Sequence, residues 1–584
     1  MEPLRRASSD TSTDQPKKRN KPTLNCKACV ERKARCDRGR PRCVACVRRQ
    51  SACQYTVAAD ILHVTGPSRP RRKVMRPGGQ GVTTAPGVHR DPRLAPRALA
   101  THPNLRAEPS LPVDEQISPR PPVPSPSHPP ALYGRFDINT CHPFRNYWTN
   151  TGGLTEVVGI LPPREEADRL VWSYFTTVDP IYPIIPRQSF TRDYEEFWQL
   201  SAPERANCEP ALVALQLAIY ATAAQYSTAL PANERAEIAE FYLSACHQAL
   251  CLSSYLNHCS LTTIQTMILV CHFLITDNRI PEAWTFSGLG LRQVYGLQLN
   301  RDPELLDSDA PFSEKQQRCR LWWAAMFQDT SLSMFLGMPP ATAYHDIELS
   351  NLKHPDDAAQ RAKMDISGFS SDASVAADIP YLRAMWQYAS FTQTNLCIPR
   401  SLKRPICSSP EHKTQLVSQF RQLYNTFEAP FNSFDPARFE HTNERLVRQL
   451  ISTATNFFYT LTVLYMDENA DAGTEVDVYG ALDAAHEGML AFFKLARISP
   501  EQTDIWGAAH TRAYSQAKMI GSILAAQEVQ AEGPVRDARL MLAKSDFDRF
   551  LDALIKACGG NDFRALQDQR VTELEELRAR IKVT

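Results

Sequence analysis

Helical periodicity governs the chain beyond position 160. In LPPREEADRLVWSYF (161–175), two prolines and a pair of acids precede Leu170, Val171, Tyr174 and Phe175, which fall on one face of a helix. The same spacing, punctuated by turn residues, predicts helices near 210–227, 234–254, 261–277, 281–298, 314–336, 380–396, 413–427, 443–466, 478–497, 508–528, 545–557 and 564–582. Strand alternation is sparse. DPIYPIIPRQSF (179–190) is too rich in proline for a helix and reads as an extended segment packed on the first one. The longest apolar run, LTTIQTMILVCHFLI (261–275), is interrupted by Thr, Gln and His, so it predicts a core helix rather than a membrane span. The fold class is therefore mostly α, and the roughly 450 residues after Thr140 are enough to bury a substantial core.

The first quarter of the chain carries no such pattern. Residues 1–25 are polar and basic, without the apolar stretch of a signal peptide. Between Gly66 and Pro130 there are sixteen prolines in 65 residues and few aromatics, which cannot build a packed core and predict a disordered tether. The expected organisation is a disordered basic N-terminus (1–20), a small cysteine-rich module (21–58), a Pro-rich linker (59–139) and an all-helical body (140–584).

Composition changes this picture at one place. Six cysteines, Cys26, Cys29, Cys36, Cys43, Cys46 and Cys53, follow the spacing C-x2-C-x6-C-x6-C-x2-C-x6-C, two copies of one unit placed back to back. Each unit sets two thiols a short turn apart and a third about two helical turns later, so each triad can surround one metal. Tetrahedral zinc takes four ligands, and two separate four-sulfur sites would need about eight thiols. Two shared thiolates close the deficit, and the internal symmetry selects Cys26 and Cys43 as the bridges. One zinc would hold Cys26, Cys29, Cys36 and Cys43, the other Cys43, Cys46, Cys53 and Cys26, giving two Zn(2+) per chain. The competing reading is a disulfide framework. The remaining cysteines, such as Cys246, Cys251, Cys271 and Cys319, sit singly in apolar helical surroundings, as reduced thiols do.

The formal net charge of +1 says nothing until it is located. From Lys17 to Arg49 there are thirteen Lys or Arg against Glu31 and Asp37, a local balance of +11. A surface so basic on a module with so little core is the electrostatic footprint of nucleic-acid binding, here double-stranded DNA. Short helices are expected over 29–36 and 46–53. The basic runs KKRNK (17–21) and RPRRKVMR (69–76) are suited to nuclear import.

The cysteine spacing, with Arg32-Lys33 in the first unit, Asp37 after the third cysteine and Pro41 before the fourth, resembles the fungal zinc binuclear cluster family of transcription factors. Three further segments resemble the middle homology region of the same regulators: REEADRLVWSYF with DPIYPIIPRQSF, EAWTFSGLGLRQVYGLQLNRD (282–302) and RCRLWWAAMFQDTSLSMFLGMPPA (318–341). The resemblance implies that Lys33, with Arg32 beside it, reads base edges of a CGG-type triplet from the major groove. Arg35, Arg38, Arg48 and Arg49 are assigned to phosphates. Two departures stand out: Val30 replaces a residue often basic, and Gly337-Met338-Pro339 replaces Gly-Arg-Pro.

The resemblance also implies a nuclear, zinc-dependent regulator that activates a metabolic or biosynthetic gene cluster and engages the transcription machinery, with a helical regulatory body whose effector is unnamed. The alternative is a zinc-stabilised adaptor that binds nucleic acid nonspecifically or binds protein. No apolar heptads occur between Gln54 and Pro130, so a homodimer would lack the family's usual coiled coil. Leu574, Leu577 and Ile581 make too short a seam and read as a core or capping helix. No enzyme is expected, because there is no HExxH, phosphate loop, GxSxG elbow or acid pair. Trp322-Trp323 with Arg318 and Arg320 reads as core plus surface, and His345-Asp346 as a structural loop.

Overall fold

The computed structural model describes residues 26–34, 36, 43–49, 51–54, 144, 148, 152–228, 232–342, 378–434, 443–498, 507–526, 534–558 and 564–581. The tether expected over 59–139, both basic runs, Arg35, Arg38 and the His345-Asp346 loop lie outside them. The chain divides into two units, Met1–Pro121 and Pro122–Thr584.

In the first unit two one-turn helices, α1 (Lys27–Glu31) and α2 (Val44–Arg48), follow the first and fourth cysteines. They begin two residues earlier than the sequence suggests and stop sooner. Lys33 adopts the left-handed conformation (φ 51°), which ends α1 and turns the chain back toward Cys36. The Ala34 N–H closes that turn on the Cys29 carbonyl at 2.9 Å.

Among its described residues the second unit is helical, without a strand. Helix α3 (Arg164–Thr177) starts after Pro162-Pro163, with Glu165 and Glu166 complementing its N-terminal dipole. The following 179–186 is irregular, as its prolines require, but from Arg187 the chain is helical again. This α4 (Arg187–Gln199) corrects the extended reading of 179–190. Phe190, Tyr194 and Phe197, at positions i, i+4 and i+7, form its buried face.

Helices α5 (Pro210–Gln225) and α6 (Ala232–Leu252) pack along each other, and α5 also packs on α7 (Leu261–Thr276). Every residue of α7 from Thr263 to Thr276 is buried, so the apolar run serves as a core helix. Among the described residues no helix is long and apolar enough to cross a membrane. Helix α8 (Ile280–Gly296) then packs on α7 and on α9 (Phe312–Leu336). Trp322 and Trp323 of α9 are buried, and so, against the surface reading, is Arg320, which donates to the Pro183 carbonyl at 3.2 Å; Arg318 pairs with Glu314 at 2.9 Å nearer the surface. Gly337 caps α9 at φ 64°, where an L side chain would be strained.

Helix α10 (Ile379–Thr392) continues through a π turn, Gln393–Cys397, just before Pro399. Then come α11 (Pro410–Thr426), α12 (Glu444–Tyr465), α13 (Val478–Ile498), α14 (Gly507–Ala526), α15 (Pro534–Cys558) and α16 (Arg564–Arg580). Helix α14 contacts α7, α12, α13, α15 and α16, joining the end of the body to its middle. A Cβ at Gly521 of α14 would stand 2.6 Å from the Phe547 ring, so glycine permits the close approach of α15. Leu574 is fully buried, with Leu577 and Ile581 packed on the same core. Helix α16 is thus a core helix.

Candidate metal centre and nucleic-acid interface

The two cysteine units fold as copies of each other. Cys29 donates its N–H to the Cys26 carbonyl at 3.1 Å, the Cys46 N–H points at Cys43 Sγ at 3.4 Å, and Cys43 N-caps α2. Ala34 N–H to Cys29 carbonyl (2.9 Å) has its counterpart in Ser51 N–H to Cys46 carbonyl (3.1 Å). Lys27 N–H reaches the Gln54 carbonyl at 2.8 Å and ties the two ends of the module together.

This folding brings four thiols, Cys26, Cys29, Cys43 and Cys46, within 4.8 Å of one another, all buried. Cys26 Sγ lies 3.7 Å from Cys43 Sγ and 3.6 Å from Cys46 Sγ, and Cys29 Sγ lies 3.7 Å from Cys43 Sγ. Sulfurs about 2.3 Å from a tetrahedral zinc stand about 3.8 Å apart, so these separations fit shared coordination. They exceed the roughly 2 Å of a disulfide bond, and all six cysteines are free. Burial pushes the Cys26, Cys29 and Cys43 thiols up, Cys43 to about 12, while the hydrogen bond from Cys43 brings Cys46 down to about 7. Such crowded sulfurs become thiolates together only beside a cation.

Cys36 and Cys53 fall outside the mutually close four. Cys36 is buried, and Cys53 Sγ accepts the Cys43 N–H at 3.3 Å.

Arg32 and Lys33 are exposed directly after α1, and Arg48 and Arg49 at the end of α2. Among the described residues these four cations face solvent beside a buried sulfur group. The left-handed backbone at Lys33 is the detail that sequence reasoning missed; no glycine or asparagine marks it.

Two segments of the chain match known domains. Residues 24–60 match the fungal Zn(2)-Cys(6) binuclear cluster domain, and residues 171–398 match the fungal specific transcription factor domain. The chain carries both domains of the fungal zinc-cluster transcription factors. The second match runs past the 318–341 segment into α10 and its π turn. The equisetin cluster transcription factor eqxF of Fusarium heterosporum is 25% identical over 45% of this chain and 43% of its own length. The sorbicillinoid biosynthetic cluster transcription factor 2 of Penicillium rubens is 29% identical over 31% of this chain and 26% of its own. Transcription factor phm2 of a Pyrenochaetopsis species is 29% identical over 36% and 27%. The chain thus spans under half the length of these curated relatives. Both matched domains are those of transcription factors, which are not enzymes.

Proposed function

We propose that the chain is a sequence-specific, zinc-dependent DNA-binding regulator acting in the nucleus. The observation that carries this reading is the pair of exposed cations, Arg32 and Lys33, held beside a buried four-thiol group whose sulfur separations suit zinc. Two Zn(2+) would be held by Cys26, Cys29, Cys36 and Cys43 and by Cys43, Cys46, Cys53 and Cys26. Bound zinc supplies the positive charge that lets crowded thiols ionise, and so couples metal binding to folding of the module.

The module's own residues then divide the work. Lys33, with Arg32, donates to the acceptors on the major-groove edges of a CGG-type triplet, a contact worth ~1–3 kcal/mol of discrimination. Arg35, Arg38, Arg48 and Arg49 hold phosphates and set the register. The module covers 21–58, a linker 59–139 follows, and 140–584 is the regulatory body. Relatives named for equisetin and sorbicillinoid clusters support activation of a biosynthetic gene cluster as the role.

Selection from random duplexes at physiological salt tests this reading. An enriched CGG-containing motif is the expected result. Recovery of no motif would favour the nonspecific adaptor.

A further inference from the structure

The helical body holds a partly open cavity of about 80 Å³ whose walls come from helices α7, α8, α9, α12 and α14, the 181–182 turn and Tyr226. Its surface is largely apolar and aromatic, with Tyr182, Tyr226 and Phe327 among the walls, and Ser331 and Asn456 as a hydrogen-bonded polar pair at 3.3 Å. His272 also lines it, but burial brings its pKa down to about 4, so it stays neutral near pH 7. The one permanent charge on the wall is Arg512 of α14.

Arg512 differs from Arg445, Arg279 and Arg570 of the same core. Arg445 is paired with Asp179 and Asp378, each at 2.7 Å, and Arg279 with Asp277 at 2.6 Å and Glu240 at 2.7 Å. Arg570 donates to Asn278 Oδ1 and Thr511 Oγ1, both at 3.3 Å. Among the described residues Arg512 makes no hydrogen bond and no ion pair. The groups that act on its charge are the phenols of Tyr388, Tyr182, Tyr459 and Tyr381, which are neutral. Arg512 is half-buried, and a guanidinium largely withdrawn from water without a counter-ion is disfavoured. A charge kept in that state beside an open, aromatic-walled space is half of an ion pair.

The missing half follows from the walls. One positive charge with a neutral histidine calls for a single negative charge, which excludes a phosphate dianion. The planar guanidinium fork matches a carboxylate. The aromatic and aliphatic surface calls for an apolar body. A buried water needs ~10–15 Å³ of such space, so the cavity holds about six waters or a molecule of similar size.

We propose that this cavity binds a small organic monocarboxylate with an aromatic or branched apolar body, its carboxylate held by Arg512. Helices α7 and α9 lie in the family-matched region, whereas α12 and α14 lie beyond it. Occupancy therefore ties the two parts of the body together. The site stands independently of the DNA-binding reading.

Titration calorimetry and melting of the zinc-loaded full chain, at constant chloride, test this with benzoate, 3-methylbutanoate and the neutral benzamide. The expected result is saturable binding of at least one acid, with benzamide about tenfold weaker or worse. Arg512→Met weakens acid binding by about tenfold or more, while Arg512→Lys retains part of it. Without ligand, Arg512→Met melts no lower than the parent, because it removes an unpaired charge. The proposal is overturned by absence of saturable binding of either acid, by equal binding of benzamide, or by unchanged binding in Arg512→Met. A melting temperature of that variant far below the parent's assigns Arg512 a structural role and overturns it too.

Discussion

Cys26 Sγ and Cys43 Sγ lie 3.7 Å apart although 17 positions separate them in sequence. They are equivalent residues of the two units, and each is also near a sulfur of the opposite unit, Cys46 for Cys26 and Cys29 for Cys43. Bridging thiolates require this pattern, since a bridge shares one metal with each of its neighbours.

Two zinc ions per full-length chain are therefore expected by native mass spectrometry. A count of one would mean that Cys26, Cys29, Cys43 and Cys46 form a single four-sulfur site and that Cys36 and Cys53 are not ligands. Cys43→Ala should lose both metals and Cys53→Ala chiefly one, because a bridge serves both.

Lys33 and Arg48 are both exposed cations, yet they should behave differently. Lys33→Ala should reduce affinity for a CGG-type duplex by ~10- to 100-fold and leave random duplex nearly unaffected. Arg48→Ala should weaken both alike and lower the salt slope by about one. Equal losses on both duplexes for Lys33→Ala would remove it from base reading.

In the body, Arg445 holds Asp378 through two nitrogens, at 2.9 and 2.7 Å, and Asp179 through a third at 2.7 Å. Both acids are buried. Arg445→Met leaves them unpaired and should destabilise the body by ~3–5 kcal/mol, read as a lower urea midpoint. A loss under about 1 kcal/mol would show the cluster to be surface-like.

His486 Nδ1 lies 2.6 Å from Asp546 Oδ2 and links α13 to α15. That hydrogen bond raises the His486 pKa above its ordinary value, against the opposing effect of burial. A group with a raised folded pKa binds more protons when folded. Its contribution is complete below pH ~6.5 and is lost as pH rises through the higher folded value. Urea midpoints between pH 6 and 8 should fall with rising pH more steeply in the parent than in His486→Gln. Parallel curves would mean that this pair does not titrate in the window.

Most of the helical body is legible from periodicity, because a buried face repeats every three to four residues whatever it packs against. Helix α7 and the burial of Trp322 and Leu574 follow from local pattern alone. Helix α4 escapes notice because Pro183 and Pro186 stand directly before it, and proline suits the edge of a helix as well as an extended segment. The bounds of the short α1 and α2, though not their existence, escape for another reason. The third cysteine of each unit must turn back, and Lys33 accommodates that turn with a backbone conformation no residue type announces.

The chemistry of the thiols and the charge of the module are determined by the sequence by itself, since a fixed cysteine spacing and thirteen cations within 33 residues hold in any fold that brings the units together. Which sulfurs approach which is decided only by the tertiary structure. So is the isolation of Arg512. Its sequence neighbours give no hint that Asp179, Asp378, Asp277 and Glu240 are all committed to other arginines. Counter-ions are assigned by packing between distant helices, so an unpaired charge becomes visible only when the whole core is assembled.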